Sequence, residues 1–314
     1  MATPENTGPS YFIEFIGDQT VPIREGQTIL DASLEAGIPH YHACGGQGQC
    51  TTCRVHINNG GKFLSELSKR EIWLRKSIPF GPHVRLACQT YVSGPVSLHR
   101  MIRDEADMTM YLAEDRQNDL QNTGREQELA LFFLDIRNFT PFMERFLPFD
   151  VIHIVRRLFC LFRNAIDNHH GTIIETAGDG FYAVFGFETS VQQAANDAYA
   201  AAQEILAELE EFNRTYVEKH FFHRFQAGIG LHTGKVIVGN IGIGVNNNLT
   251  VMGLPVNVAS RIQAATRTLN NSLVVSEQLG EHLDPKPACQ RVQTQLKGLT
   301  DTYELLLCGE PFYV

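Results

Sequence analysis

Two aspartates stand where apolar chain ends. Asp135 closes the run Leu129-Ala130-Leu131-Phe132-Phe133-Leu134, and Asp179 sits in Gly178-Asp179-Gly180, between Thr172-Ile173-Ile174-Glu175 and Phe181-Tyr182-Ala183-Val184-Phe185. An apolar run of six without alternation reads as a strand buried on both faces. A carboxylate at its end is costly unless something pairs with it. A Gly-flanked Asp between two apolar runs reads as the tip of a tight hairpin. A strand end and a hairpin tip on adjacent strands can bring two carboxylates to one point. Two carboxylates beside a backbone loop suit Mg²⁺ or Mn²⁺ carrying a triphosphate. The plainer alternative is that Asp135 caps the next segment and Asp179 is a turn residue, since Asp is common in both places.

A second constellation is sulfur. Three cysteines, Cys44, Cys50 and Cys53, share one Gly-rich loop, CGGQGQCTTC, and Cys88 lies alone far downstream. Structural zinc usually shows two close pairs of ligands. Glycines let this loop curl so that backbone N–H groups point at a negative centre, which favours four thiolates on a [2Fe–2S] cluster. Zinc and unliganded thiols remain the alternatives. Arg54, Arg85 and Gln89 adjoin these cysteines. They either tune a cluster or, more plainly, are exposed solubilising residues.

The elements that would hold these groups fall into two domains, 10–98 and 126–314, with a connector over 99–125. The chain has 314 residues, 43% of them hydrophobic, and a formal charge of -9. With no basic cluster standing out, that argues against a nucleic-acid binder and an anionic membrane surface. No apolar run approaches the ~20 residues that span a bilayer, and the first residues lack the pattern of a signal peptide. A cytoplasmic protein is the expectation, with Cys160, Cys289 and Cys308 as buried thiols.

In the first domain, Tyr11–Ile16 reads as a strand, Val21–Ile23 as its hairpin partner, and Thr28–Ala36 as a helix capped by Thr28 and stopped by Gly37. In the connector, Leu98, Met101, Met108 and Leu112 make a weak heptad-like stripe; a coiled-coil pair and a loosely ordered linker fit equally. In the second domain, Thr140-Pro141 marks a helix start, and Val151, Ile154, Val155, Leu158, Phe162 and Ile166 recur at helical spacing. A long helix over about 191–218 follows. Phe225–Leu231 is a strand that Gly234 turns into Val236–Gly239. Leu249–Met252 is a strand, Val256–Leu269 a helix, and Leu273–Val275 and Tyr303–Leu307 are late strands. This is an α+β, palm-like sheet with helices on one side.

Phe133–Thr140 (FLDIRNFT), Gly178-Asp179-Gly180 and Val256–Arg261 (VNVASR), in that order, resemble the class III nucleotidyl cyclases, the adenylate and guanylate cyclase family, over about residues 126–308. The C-x₅-C-x₂-C…C pattern resembles the [2Fe–2S] ferredoxins of vertebrate-type spacing. The resemblances imply a β-grasp-like ferredoxin domain fused to a ferredoxin-like βαββαβ cyclase domain. They imply cluster ligands Cys44, Cys50, Cys53 and Cys88, and two Mg²⁺ or Mn²⁺ held by Asp135, Asp179 and Ile136. Asn257 would orient the ribose and Arg261 would stabilise charge on the α-phosphate. Lys297 would bind the triphosphate, and Phe139 and Thr140 would line the substrate site. Carboxylates from one subunit and the Asn/Arg pair from another imply a homodimer with two shared sites. The bland reading of Asn257 and Arg261, one turn apart, is a solvated helix face.

Two positions select the purine in that family, matched here by Glu175 and Thr250. A carboxylate accepts from guanine N1–H and its amine, whereas adenine N1 is itself an acceptor, so Glu175 favours GTP over ATP. A hydroxyl at Thr250 suits either base. The competing function is an electron carrier whose cyclase-like domain is only a dimeric scaffold. In either case an electron donor or redox signal is an expected partner. A diguanylate-forming enzyme is disfavoured because the Asp179 turn lacks a second acid.

Overall fold

The computed structural model describes residues 10–78, 80–102, 124–239 and 249–313. The chain divides into two compact units, Met1–Thr123 and Gly124–Val314. Met108 and Leu112 of the heptad-like stripe lie outside the described residues. Leu98 does not belong to a connector helix: it is fully buried in a strand of the first unit.

The first unit is a five-stranded sheet in the order β2 (Thr20–Arg24), β1 (Ser10–Phe15), β5 (Val96–Arg100), β3 (Arg54–Asn59), β4 (Val84–Leu86). β1 runs parallel to β5; the other pairs are antiparallel. Helix α1 (Ile29–Glu35) starts at Thr28, whose hydroxyl accepts from the Asp31 N–H while the Asp31 carboxylate accepts from the Thr28 N–H. Its Ile29 and Leu30 join Ile13, Phe15, Ile23, Leu86 and Leu98 in the core, giving the β-grasp-like arrangement. A second helix, α2 (Lys69–Ser77), is capped the same way by Ser68 and Glu71. Its apolar residues carry no amphipathic period, so the sequence did not announce it. Arg85 is not an exposed solubilising residue. It is buried in an ion pair with Glu71, Nε to Oε1 2.9 Å.

The second unit is organised around β6 (Arg125–Arg137), a 13-residue strand longer than its apolar run. β8 (Gly180–Phe185) and β9 (Gln226–Gly239) pair with it antiparallel on either side. The sheet continues outward through β7 (Thr172–Ala177) at one edge, and through β11 (Leu273–Ser276), β13 (Thr302–Leu307) and β12 (Gln290–Gln295) at the other; β10 (Thr250–Met252) pairs with β9. Alternate β6 residues do face opposite ways. Ala130, Phe132 and Leu134 join the larger core with helices α3 (Phe139–Arg145), α4 (Pro148–Asn168) and α5 (Val191–Phe212). Leu129 and Leu131 join Tyr182, Val238, Val251 and Ala259 of helix α6 (Leu254–Thr268). Helices therefore cover both faces, not one. β6 reads as unbroken apolar sequence because each face has its own cover.

Three further expectations change. β9 runs straight through Gly234, where a Cβ would fall 2.6 Å from the Pro255 ring; the glycine admits a helix, not a turn. Pro141 is the third residue of α3, not the first. Cys289 and Cys308 are not free thiols but a disulfide at the open end of the β12–β13 hairpin, and Cys160 is exposed. The polar strand β12, QRVQTQ, carries too little apolar pattern to be read from sequence. Among the described residues, no helix is long and apolar enough to cross a membrane.

Among the described residues, each unit has a deeply buried neutral histidine. Burial depresses His40 to about 4, helped by the Arg100 charge, and burial depresses His232 to about 4. Their Nδ1 atoms meet Ser33 Oγ at 2.9 Å and Ser276 Oγ at 2.8 Å. The unfolded chain protonates near the ordinary 6.5 while the folded chain does not. Stability is therefore full above that pH and falls as pH drops from about 6.5 to about 4. The loss expected from each histidine is about 3 kcal/mol. Denaturant melts across this range check it; His232→Gln flattens the pH slope of the second unit's transition.

Candidate functional site

Asp135 lies on β6 directly opposite Gly180 of β8 and Gly228 of β9. Its glycine neighbours make the room. A Cβ on Gly180 would sit 2.5 Å from the Leu134 carbonyl oxygen and 3.5 Å from Asp135 Oδ1. The β7–β8 turn places Gly178 at φ +62°, a conformation that favours glycine, and delivers Asp179 to the same end. Burial raises the Asp135 carboxyl above its usual range and the Asp179 charge raises it further, while Arg137 and Arg267 oppose. Two half-buried carboxylates that repel each other are a donor set suited to divalent cations; Ile136 is buried on β6 beside Ala227 of β9. Among the described residues no three His, Cys, Asp or Glu side chains already meet as a ligand group, so such ions would also need water or phosphate oxygens.

A hollow of about 570 Å³ opens between this end of the sheet and α6. Asp135, Glu175, Thr250 and Tyr182 line it, with Ser260 and Gln263 of α6. Tyr182 stacks on Phe133, ring centroids 4.5 Å apart, as an aromatic floor. Burial pushes the Tyr182 phenol up, so it stays neutral. Glu175 and Tyr182 are cross-strand partners and face the same side.

The remaining candidates lie apart from this hollow. Asn257 and Arg261 project into solvent from α6, and Lys297 is exposed in the turn between β12 and β13. Phe139 is buried against Phe142 and Phe225 in the core, and Thr140 is exposed. Sequence reading missed Ser260, Gln263, Tyr182 and Arg137. Val256, Ser260 and Gln263 follow at i, i+4, i+7, which could have marked the inner face of α6. Arg137 gave no such sign. It is buried, bonded to the Thr266 hydroxyl and 4.9 Å from the Phe312 ring.

In the first unit the four cysteine thiols approach in two pairs. Cys53 Sγ is 3.5 Å from Cys88 Sγ, and Cys44 and Cys50 are hydrogen-bonded to each other. Two thiolates on one tetrahedral metal stand about 3.7 Å apart for metal–sulfur bonds of about 2.3 Å, so the Cys53–Cys88 separation fits a shared metal atom. Positive φ at Gly45, Gly46 and Gly48 curls the loop. Its N–H groups at Gln47, Gln49 and Cys50 donate to the Cys44 sulfur. Cys88 is lowered to about 7, first by the Cys53 thiol that donates to it, with Gln89 and the Gly48 N–H contributing. This is a pocket for anionic sulfur, as an iron–sulfur cluster demands.

With both geometries in view, comparison with known proteins defines the class. Residues 122–305 match the model of the adenylate and guanylate cyclase catalytic domain, and residues 14–93 match that of the 2Fe-2S iron-sulfur cluster binding domain. The chain belongs to the class III cyclase family and carries a ferredoxin-type domain ahead of the catalytic one. It is 31% identical over 150 residues to adenylate cyclase 1 of Rhizobium meliloti (strain 1021), covering 48% of this chain and 22% of that protein. It is 27% identical over 157 residues to an adenylate cyclase of Anabaena cylindrica, covering 50% and 31%. The chain thus spans well under half the length of these relatives. Among solved structures, the guanylyl cyclase Cya2 shares 28% identity at a TM-score of 0.54, over 60% of this chain and 95% of that one. The adenylyl cyclase CyaB from P. aeruginosa, 20% identical with a TM-score of 0.53, shows the shared fold.

The paired thiols give a direct expectation. Protein purified without oxygen contains two iron and two sulfide per chain, and Cys53→Ser or Cys88→Ser loses most of both. Metal analysis showing one zinc and no sulfide would refute it.

Proposed function

We propose that the chain converts a purine nucleoside triphosphate, GTP in preference to ATP, into its 3′,5′-cyclic nucleotide and pyrophosphate. The reaction takes place in a site shared between two copies. The observation that carries this is the hollow in which Asp135 and Glu175 lie together while Asn257 and Arg261 stand on the solvent side of α6. The ribose 3′-oxygen attacks the α-phosphorus, the bond to the β-phosphate oxygen breaks, and pyrophosphate leaves. Asp135, Asp179 and the Ile136 carbonyl would hold two divalent cations, which would supply activation of the 3′-hydroxyl and neutralisation of the triphosphate.

The chain's own groups do the rest. Glu175 accepts from guanine N1–H and its amine; Thr250 donates to O6; the Phe133–Tyr182 stack is the apolar wall the base meets. From the second copy, Asn257 orients the ribose, and Arg261 stabilises charge developing on the α-phosphate, a transition-state interaction. Lys297 contacts the terminal phosphates. The ferredoxin-type domain passes a redox signal to this site through residues 99–125.

Product analysis with GTP or ATP and Mn²⁺ tests the reaction; no cyclic nucleotide from either would refute it. Glu175→Lys should shift the GTP/ATP ratio of kcat/KM toward ATP by about 5-fold or more, since a hydrogen-bond mismatch in the occupied site costs about 1–3 kcal/mol. Asp135→Ala and Arg261→Ala should each be nearly inactive, and their mixture should regain up to about a quarter of wild-type activity, because random pairing repairs one site in half of the dimers. Subunit exchange without recovery would argue against shared sites.

A further inference from the structure

The outward face of α2 is cationic in an anionic chain. Its sequence, KREIWLRKS, has four Lys or Arg among nine residues, whereas the whole chain carries -9. Its single acid, Glu71, is turned inward and fully buried, accepting from Arg85 and from the Leu86 N–H. Lys69, Trp73 and Lys76 follow at i, i+4, i+7, so they form one stripe, with Ile72 and Arg70 beside it. Trp73 is 59% exposed and Ile72 48%. These residues were not legible as a basic patch because an isoleucine, a tryptophan and a leucine interrupt them in sequence. The helix turns Lys69, Arg70 and Lys76 outward, holds Arg75 back on the Val84 carbonyl and over the Phe80 ring, and leaves Leu74 in the core.

This face adjoins the cysteine loop. Arg70 Cβ lies 3.3 Å from where a Cβ on Gly48 would stand, and the Gly48 N–H donates to the Cys88 sulfur. An exposed indole rimmed by Lys and Arg is the composition of a binding hot spot, and its charge selects the partner's sign. We propose that α2 docks the acidic face of a one-electron redox protein, a flavin or iron–sulfur carrier, which reduces the cluster held by Cys44, Cys50, Cys53 and Cys88. One electron leaves the partner's reduced carrier and enters the cluster, with no bond made or broken. Lys69, Arg70 and Lys76 steer the encounter, and Trp73 anchors it. The electron-transfer half rests on the reading of the four cysteines as cluster ligands; the docking half does not.

The test uses the full-length, iron-loaded protein with an acidic flavodoxin as probe, a basic cytochrome c as the opposite-charge control, and a DNA duplex as the competing polyanion. Trp73 is the chain's one tryptophan, so its fluorescence reports on this face independently of cluster and cyclase activity. Iodide should quench it more efficiently than caesium, and the preference should reverse in Lys69→Glu/Arg70→Glu/Lys76→Glu. Calorimetric affinity for flavodoxin, and its rate of reducing the cluster, should both fall at least about tenfold between low and physiological salt. The triple variant should show a similar loss with unchanged melting temperature and cluster absorbance. Trp73→Ala should weaken flavodoxin binding at least about tenfold. Affinity indifferent to salt and to the triple variant, tighter binding of cytochrome c, or preference for DNA would each overturn the proposal. Flavodoxin that binds but does not reduce iron-loaded protein would overturn the redox assignment. Protein without iron would fail the cluster reading instead, and the binding arm would still decide the docking face.

Discussion

The catalytic unit depends on holding two negative charges together at the end of a buried sheet. Like charges at Asp135 and Asp179 oppose that arrangement, and burial of Asp135 opposes it further. The fold resists by making the approach unavoidable. β6 is clamped by β8 and β9 along its length, and the β7–β8 turn has no freedom to carry Asp179 elsewhere. Glycine at 180 lets β8 press on the Leu134 carbonyl. The large aromatic core beneath, with Phe132, Phe162, Phe181 and Phe185 in mutual contact, stiffens the platform.

The ferredoxin-type unit meets the same difficulty with sulfur. Four thiols must be near one another and bear charge in a partly buried place. Glycines at positive φ turn backbone N–H groups toward the sulfurs, so the main chain contributes positive potential without adding a charged side chain. The two pairs differ in setting: Cys53 and Cys88 are buried, while Cys44 and Cys50 are half-exposed. The buried pair lies against Leu86 and Leu98 of the core, so the cluster's seat is continuous with the sheet. That links cluster assembly to the stability of the whole unit.

What could be read from the sequence was what repeats or stands out against its neighbours. The β6 run, the α4 stripe and the three-cysteine loop each carry their own periodicity or spacing. Gly234 misled because glycine has two uses: a turn, and a close approach of another element, here Pro255. β12 was invisible because an edge strand needs no apolar face, and the Cys289–Cys308 link because pairing depends on strand register, not on spacing. At the site, Asp135 and Asp179 were legible from position relative to glycine and strand ends, and Glu175 only through the family resemblance. Arg137 and Tyr182 were not, because their environment comes from Thr266, Phe312 and Phe133, far away along the chain.

The placement of α6 carries the argument for a shared site. The helix is not free to swivel. Gly230 lets it settle onto β9 so closely that a Cβ there would fall 2.3 Å from the Gln263 nitrogen, and Gly234 receives Pro255 in the same way at the first turn. With Val258, Ala259 and Ile262 buried, rotation would pull apolar surface into water, at about 25 cal/mol per Å². Asn257 and Arg261 are therefore held on the outward side of the helix. In the reaction proposed above, a second copy offering its own Asp135 and Asp179 would supply the other half of the site, and a twofold arrangement would create two such sites from identical surfaces.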